Sequence, residues 1–145
     1  MTPKEYLRQV AQAERDLRTL KAKLAHYEEL GIMSSLSNGN TPVKASKGHS
    51  RVETAAIGIV DTLGEIMAKI ADYTAIITQA QKLIDRIPQE NYRKLLTLHY
   101  LCGWKLPRVG EELRYEDRNS VYRAHGWALL ELGKVLKEKG MVGNG

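Results

Sequence analysis

The sequence predicts an all-α protein in which a long antiparallel coiled-coil helical hairpin is followed by a unit of three shorter helices. Two observations lead to this prediction. The first ninety residues contain two apolar heptad patterns separated by a stretch rich in Gly and Ser, and the following residues contain three short apolar-periodic segments divided by Gly, Pro and charged turns. We therefore expect a hairpin over residues 1–87, a three-helix unit over 88–139 and a disordered tail over 140–145.

The first two helices are predicted from apolar residues that alternate at spacings of four and three, which is the heptad pattern of a coiled coil. The first pattern comprises Tyr6, Val10, Ala13, Leu17, Leu20, Leu24 and Tyr27. The second comprises Val52, Ala56, Ile59, Leu63, Ile66, Ile70, Tyr73, Ile77, Ala80, Ile84 and Ile87. Between them, residues 31–50 are expected to form a flexible loop that lets the two helices fold back on each other.

The second heptad pattern is longer than the first, so the second helix should project beyond the first and expose apolar surface. A second copy of the protein would cover that surface in a homodimer. Alternatively, the three-helix unit of the same chain would pack there. The sequence leaves both arrangements open.

The three-helix unit is predicted from the residues that begin and end its helices. The first helix should begin at Pro88 and end before Gly103, and the second should begin near Pro107. Within the second helix, Gly110 lowers helix propensity by about 1 kcal/mol relative to alanine, so we expect two backbones to approach closely there. The third helix should begin after Asp117, whose carboxylate can accept hydrogen bonds from the exposed N–H groups of the first turn.

The third helix combines an apolar stripe with a polar outer face. The stripe comprises Val121, Ala124, Ala128, Leu132 and Val135 or Leu136. The candidate DNA-contacting residues are Arg118, Asn119, Tyr122 and Arg123 on the outer face, flanked by Lys105, Arg108 and Arg114 as candidates for phosphate contacts. Arginine can pair with guanine and asparagine with adenine through two hydrogen bonds, and tyrosine can pack on a thymine methyl group. The unit is therefore predicted to be a helix-turn-helix that binds double-stranded DNA.

The local charge favours this interpretation over an ordinary amphipathic helix with a solvated face. Residues 91–139 contain ten Lys and Arg against six Asp and Glu, whereas residues 51–90 contain four against six. The whole chain carries a formal charge of +5 and has a pI near 9.3, which suits a polyanionic partner.

The C-terminal third also resembles a known family. Residues 92–93, 98–101, 109–113 and 121–129 are similar to the C-terminal domain of small proteins encoded by phages and prophages of Gram-positive bacteria, and His125-Gly126 is the most distinctive match. The DNA-reading unit of that family is similar to the last domain of bacterial sigma factors. Relatives of the ArpU and RinA type regulate late phage genes. Gly110 stands where the family more usually has alanine, and Glu116 is an extra residue before the third helix.

The resemblance implies a sequence-specific transcription regulator whose third helix enters the major groove of a late phage promoter. It also implies that the coiled coil sets the oligomeric state or contacts host RNA polymerase. Two other classes stay open. A small-terminase-type DNA-packaging factor would form a ring of many subunits, and a phage inhibitor module would bind a host protein through the coiled coil.

The remaining residues indicate no catalytic, cofactor or metal site, so we expect a protein that is not an enzyme. The four histidines have no metal-ligand spacing, and no phosphate-binding loop or nucleophile elbow is present. We expect His49 in the loop, His125 as a packing or hydrogen-bonding residue and the single Cys102 as a small buried side chain. Trp104 and Trp127 are expected in the core.

The sequence also predicts the compartment. It has no run of eighteen apolar residues, and Lys4, Glu5 and Arg8 interrupt the N-terminal stretch where a signal peptide would be apolar. A single cysteine cannot form an intramolecular disulfide. We therefore expect no membrane partner and a location in the bacterial cytoplasm.

Overall fold

A computed structural model describes residues 1–31 and 49–141, with the backbone alone over 49–57. The helices are α1 (Pro3–Glu29), α2 (His49–Ile84), α3 (Glu90–Leu96), α4 (Leu106–Glu112) and α5 (Arg118–Glu138), and α3 continues into a π-helical turn over Thr97–Leu101. These residues contain no strand, so the predicted all-α class is confirmed. Within the same ranges, no helix combines the length and the apolar character that crossing a membrane requires.

The chain forms two compact units, and α1 and α2 contribute residues to both. The composite unit comprises residues 1–15 and 75–145, so it joins the start of α1 and the end of α2 to helices α3, α4 and α5. The middle unit comprises residues 16–74. The sequence-predicted division at residue 88, between the hairpin and the three-helix unit, stays a prediction.

The composite unit has a continuous apolar core to which every one of its helices contributes. The apolar stripe of α5 is buried as predicted, from Val121 to Leu136. The heptad positions Ile84 and Ile87 lie in the same core, so helices of the same chain cover the apolar end of α2. Leu7 and Leu83 are buried as well, although neither belongs to a heptad pattern. Their burial follows from the additional helices, which give α1 and α2 a wider contact face here than a two-helix coiled coil provides.

The middle unit buries fewer side chains. Leu17, Leu63 and Ile66 are buried, and the other heptad positions described in this unit are half-buried. The heptad patterns thus identify the least exposed face of both helices. The structure does not describe residues 32–48, which make up most of the predicted loop. It also does not describe the side chains of the heptad positions Val52 and Ala56. His49 is the first residue of α2 and not a loop residue as predicted.

Several helix ends depart from the sequence predictions. The helix predicted to begin at Pro88 begins at Glu90, because Gln89 is extended and the Arg93 guanidinium donates hydrogen bonds to the carbonyls of Ile87 (2.6 Å) and Pro88 (2.8 Å). The predicted tail starts with a helix cap. The backbone N–H of Gly140, which adopts φ +69°, donates to the carbonyl of Lys137 (3.0 Å), and the N–H of Met141 donates to the carbonyl of Leu136 (2.9 Å). These two hydrogen bonds form a Schellman motif. Residues 142–145 lie outside the described chain.

Candidate nucleic-acid interface

The start of α5 is fixed by Asp117, which caps the helix as predicted. Its Oδ1 accepts hydrogen bonds from the backbone N–H of Ser120 (2.8 Å) and from the Ser120 hydroxyl (3.0 Å). The backbone hydrogen bond from Ser120 holds the pKa of the Asp117 carboxyl below its usual range, so this carboxyl is ionised at neutral pH. The cap therefore sets Arg118 as the first residue of the helix.

The position of α5 against α4 depends on Gly110. A Cβ atom at residue 110 would lie 3.1 Å from the Cβ of Val121, which is almost completely buried. The predicted close approach of two backbones is therefore confirmed. Because α4 and α5 touch at this point, the direction of α5 is determined by a contact with little room for adjustment.

The first turns of α5 place four polar side chains on the outside of the unit. Arg118, Asn119, Tyr122 and Arg123 are exposed, whereas the intervening Val121 is buried. The Arg118 guanidinium lies 5.9 Å from the Tyr122 ring centroid, and the Arg123 guanidinium donates a 3.4 Å hydrogen bond to the Ser120 hydroxyl. The predicted outward orientation of the four residues is confirmed.

The three predicted flanking cations, Lys105, Arg108 and Arg114, are also exposed. The Arg108 guanidinium lies 3.8 Å from the Trp104 ring centroid, a cation–π distance. Arg114 adopts φ +61° and closes α4, a conformation in which glycine is usual. Among the side chains of residues 1–31 and 58–141, none of these three cations nor Arg118 or Arg123 forms an ion pair with a carboxylate.

Other cations of the composite unit have structural partners. Arg93 binds the two carbonyls at the end of α2, as described above. The remaining pairs are Lys94 with Glu90 (3.1 Å), Lys134 with Glu131 (2.9 Å) and Arg86 with Glu138 (3.0 Å). The local charge excess seen in the sequence therefore includes cations that hold the fold, and the cations around α4 and the start of α5 are among those with no carboxylate partner in the described residues.

Two histidines form a polar cluster that the sequence did not reveal. Nδ1 of His99 lies 2.6 Å from the Trp104 carbonyl, and because a carbonyl can only accept, this nitrogen carries the proton. Nε2 of His125 forms a 2.7 Å hydrogen bond with the Tyr100 hydroxyl, so the predicted hydrogen-bonding role of His125 is confirmed. Burial, with His99 and Lys4 nearby, lowers the pKa of His125 to about 4. In the described residues, no group of three potential ligands is placed to hold a metal ion.

A basic cleft beside α5 contains two further residues that sequence reasoning missed. Lys4 and Arg8 of α1 line a cleft of about 780 Å³ together with Trp104, Lys105 and Tyr122. The heptad pattern predicts a coiled-coil role for α1 and indicates no contact with DNA. The spacing of four residues between Lys4 and Arg8, which places both on one side of a helix, is the signal that could have identified them.

Two predicted core residues lie on the surface. Trp127 is 58% exposed, because it lies outside the buried stripe of α5 to which Ala124 and Ala128 belong. Cys102 is exposed, since it follows the π-helical turn and precedes Gly103, which adopts φ +75° in the surface connection. Trp104 is half-buried and packs against the composite core.

Comparisons of the chain with protein-family models, with curated proteins and with solved structures reveal no match to any of them.

Proposed function

We propose that the composite unit binds double-stranded DNA and that the first half of α5 is the recognition helix of a helix-turn-helix formed with α4. In this proposal, Arg118, Asn119, Tyr122 and Arg123 contact base edges in the major groove or the adjacent phosphates. Lys105, Arg108 and Arg114 contact the phosphate backbone and fix the orientation of the unit on the duplex.

The observation that carries the proposal is the division of α5 into a buried face and an exposed face at its N-terminal end. Val121 and Ala124 anchor the helix in the core, and the side chains between and before them project outward. A recognition helix needs this arrangement, because its base-contacting side chains must be exposed while its backbone is held in a fixed direction. The Gly110 contact and the Asp117 cap supply the fixed direction.

We further propose that the protein is a transcription regulator of the phage type, related to the ArpU and RinA regulators of late genes. The support is the sequence resemblance of residues 92–129 together with the unpaired cations at α4 and α5. Host RNA polymerase is the expected protein partner at the promoter.

A selection from a randomised duplex library, followed by binding titrations at two salt concentrations, tests the DNA-binding proposal. The native protein should enrich one motif. Arg118→Ala or Arg123→Ala should weaken binding by about 1 to 3 kcal/mol and relax specificity at one base pair if the residue reads a base. A uniform loss over all sequences would instead identify a phosphate contact.

The matched control is Lys82→Ala/Lys139→Ala, which removes two exposed cations of the composite unit away from α4 and the start of α5. We expect this variant to select the same motif with nearly native affinity. Enrichment of no motif by the native protein, with binding that salt abolishes for all duplexes alike, would contradict sequence-specific recognition by α5.

A second candidate function is binding of another protein, or of a second copy, through the middle unit. Val60 and Met67 support it, because about half of each apolar side chain is exposed in that unit (49% and 55%). Analytical ultracentrifugation of the native protein and of Val60→Ser/Met67→Ser separates the alternatives. A dimer lost in the variant supports a homodimer, a monomer excludes it, and a ring of many subunits would support a packaging factor of the small-terminase type.

A further inference from the structure

The basic cleft defined above is a concave surface with positively charged walls. It has a volume of about 780 Å³ and lies between the first turns of α1, the connection from α3 to α4, and α5. Lys4 and Arg8 come from α1, and Lys105 comes from the connection. No Asp or Glu among the described residues lines the cleft. Its composition therefore fits an anionic ligand.

Four cationic side chains line the cleft: Lys4, Arg8, Arg15 and Lys105. The Arg15 guanidinium donates a 2.6 Å hydrogen bond to Oε1 of Gln12, and the other three cations are available to such a ligand. In the described ranges, Lys4, Arg8 and Lys105 form no ion pair with a carboxylate. Glu5 is the acidic residue nearest to Lys4 in the sequence, but its carboxylate accepts a 3.0 Å hydrogen bond from the backbone N–H of Thr2. The Thr2 hydroxyl accepts a 3.1 Å hydrogen bond from the backbone N–H of Glu5. This capping box holds the Glu5 side chain at the start of α1.

The titration of neighbouring groups agrees with a positive potential in the cleft. The pKa of His125 is lowered first by burial and then by the charges of His99 and Lys4. Burial raises the pKa of Tyr100, and the positive charge of Arg8 opposes that rise. The contributions of Lys4 and Arg8 to these two pKa values are those of a positive potential, so an anion that binds in the cleft compensates cations that have no carboxylate partner in the described residues.

The cleft also adjoins the proposed recognition helix. Tyr122 lines the cleft, and its ring lies beside the Arg118 guanidinium on the outer face of α5. A helix in the major groove lies next to the sugar–phosphate backbone that borders the groove, and Lys and Arg contacts to that backbone fix the register of the protein. The cations of α1 are thus in the place where a flanking strand passes.

We infer that the cleft binds a phosphodiester of the DNA strand that flanks the site read by α5, with Lys4 and Arg8 of α1 and Lys105 as its ligands. This inference rests on the proposed function, since it takes the phosphate from the same duplex. It adds α1 to the DNA-binding surface, so the N-terminal helix is part of the nucleic-acid interface as well as of the helical pair.

Binding titrations of Lys4→Ala/Arg8→Ala at several salt concentrations test the inference, with Lys82→Ala/Lys139→Ala as the charge-matched control. Circular dichroism melting establishes that both variants are folded. We expect the cleft variant to bind the duplex on the order of tenfold more weakly than the control, and the slope of log affinity against log salt to decrease by about two. Equal binding by the two variants would overturn the inference and leave the proposed function intact.

A second measurement separates failure of the inference from failure of DNA binding. In a Trp127→Phe background, Trp104 in the cleft is the only tryptophan, and its fluorescence is followed as inorganic phosphate is added. One outcome is that phosphate quenches the Trp104 fluorescence, that Lys4→Ala/Arg8→Ala abolishes this quenching, and that the protein binds no duplex. It would overturn DNA as the source of the bound phosphate and identify the cleft as a site for a free phosphate ester. The absence of both responses would overturn the inference and the proposed function together.

Discussion

The composite and middle units of this protein bury their apolar residues to different extents. Twelve apolar side chains in the described part of the composite unit have less than 2% of their surface exposed, among them Leu96, Ile84 and Leu132. In the described part of the middle unit, the buried side chains Leu17 and Ile66 each retain 6% exposure and Leu63 retains 8%. The composite unit has several helices around one core, whereas the described part of the middle unit consists of parts of α1 and α2.

This difference relates packing to function. A side chain can recognise a ligand of defined shape only if the backbone beneath it is held in place, and the composite unit provides such a backbone under Arg118 and Tyr122. The middle unit exposes apolar side chains such as Val60 and Met67 along a helix. The fixed backbone supports the proposal that the composite unit binds DNA. Exposed apolar side chains occur in both units, since Trp127 and Leu130 of the composite unit are 58% and 60% exposed.

The largest expected effect compares truncations in the two cores. Leu132→Ala should lower the free energy of unfolding by about 3 to 4 kcal/mol, because Leu132 is fully buried and its removal leaves a cavity. Leu63→Ala should lower it by about 2 kcal/mol or less, because water and mobile neighbours can fill the space at a two-helix contact. Urea unfolding followed by circular dichroism measures both. Equal losses would show that the two units are packed alike.

Matched glycine substitutions test the tightness of packing directly. Gly64→Ala in the middle unit meets no atom within 4 Å, so it should gain up to about 1 kcal/mol from helix propensity. Gly110→Ala gains the same propensity but places a Cβ 3.1 Å from Val121 Cβ. Overpacking commonly costs about 1 to 3 kcal/mol, so Gly110→Ala should be the less stable variant by roughly that amount. Equal stabilities in thermal melts would contradict the close contact.

The comparison between units also predicts a pH dependence that originates in the composite unit. The pKa of His125 falls from 6.5 to about 4 on folding, so the unfolded chain binds this proton more readily. Stability from neutral His125 is therefore fully present above pH 6.5 and decreases as the pH falls toward 4. We expect a loss on the order of 1 kcal/mol, because water still reaches the ring. The urea unfolding midpoints of the native protein and of His125→Gln should converge as the pH falls between these two values. A constant difference between the two midpoints would contradict the assignment to His125.

The smallest expected effect concerns Arg114, whose left-handed conformation is unfavourable for a residue with a side chain. Arg114→Gly should raise the free energy of unfolding by about 1 kcal/mol while it weakens DNA binding and reduces the salt slope by about one. A variant that is more stable but binds DNA more weakly would indicate that the charge of Arg114 contributes to binding at a cost in stability. An unchanged affinity would remove Arg114 from the interface.

Much of the fold follows from local patterns in the sequence. The heptad spacing identifies the inner faces of α1 and α2, and the spacing from Val121 to Leu136 identifies the buried face of α5. Asp117 and Gly110 are recognisable because a cap and a close contact each restrict the residue type at one position. These features depend on neighbours within one helix or on a single residue's steric requirement.

The features that the sequence did not reveal depend on contacts between distant segments. Burial of Leu7 requires the C-terminal helices to pack beside α1, and the 2.7 Å hydrogen bond between Tyr100 and His125 joins residues far apart in the chain. The same packing brings Lys4 to the cleft beside Lys105. The spacing of Lys4 and Arg8 places both on one side of α1, but periodicity within one helix does not show which distant segment that side faces.

The measurement that tests the central claim most directly is an NMR titration of the isotopically labelled full chain with a short DNA duplex. We expect the largest changes in backbone amide shifts in residues 105–123 and in the first turns of α1, with small changes over residues 16–30 and 58–74. The largest changes in those middle-unit ranges, or uniform small changes throughout the chain, would contradict recognition of DNA by α5 and the composite unit.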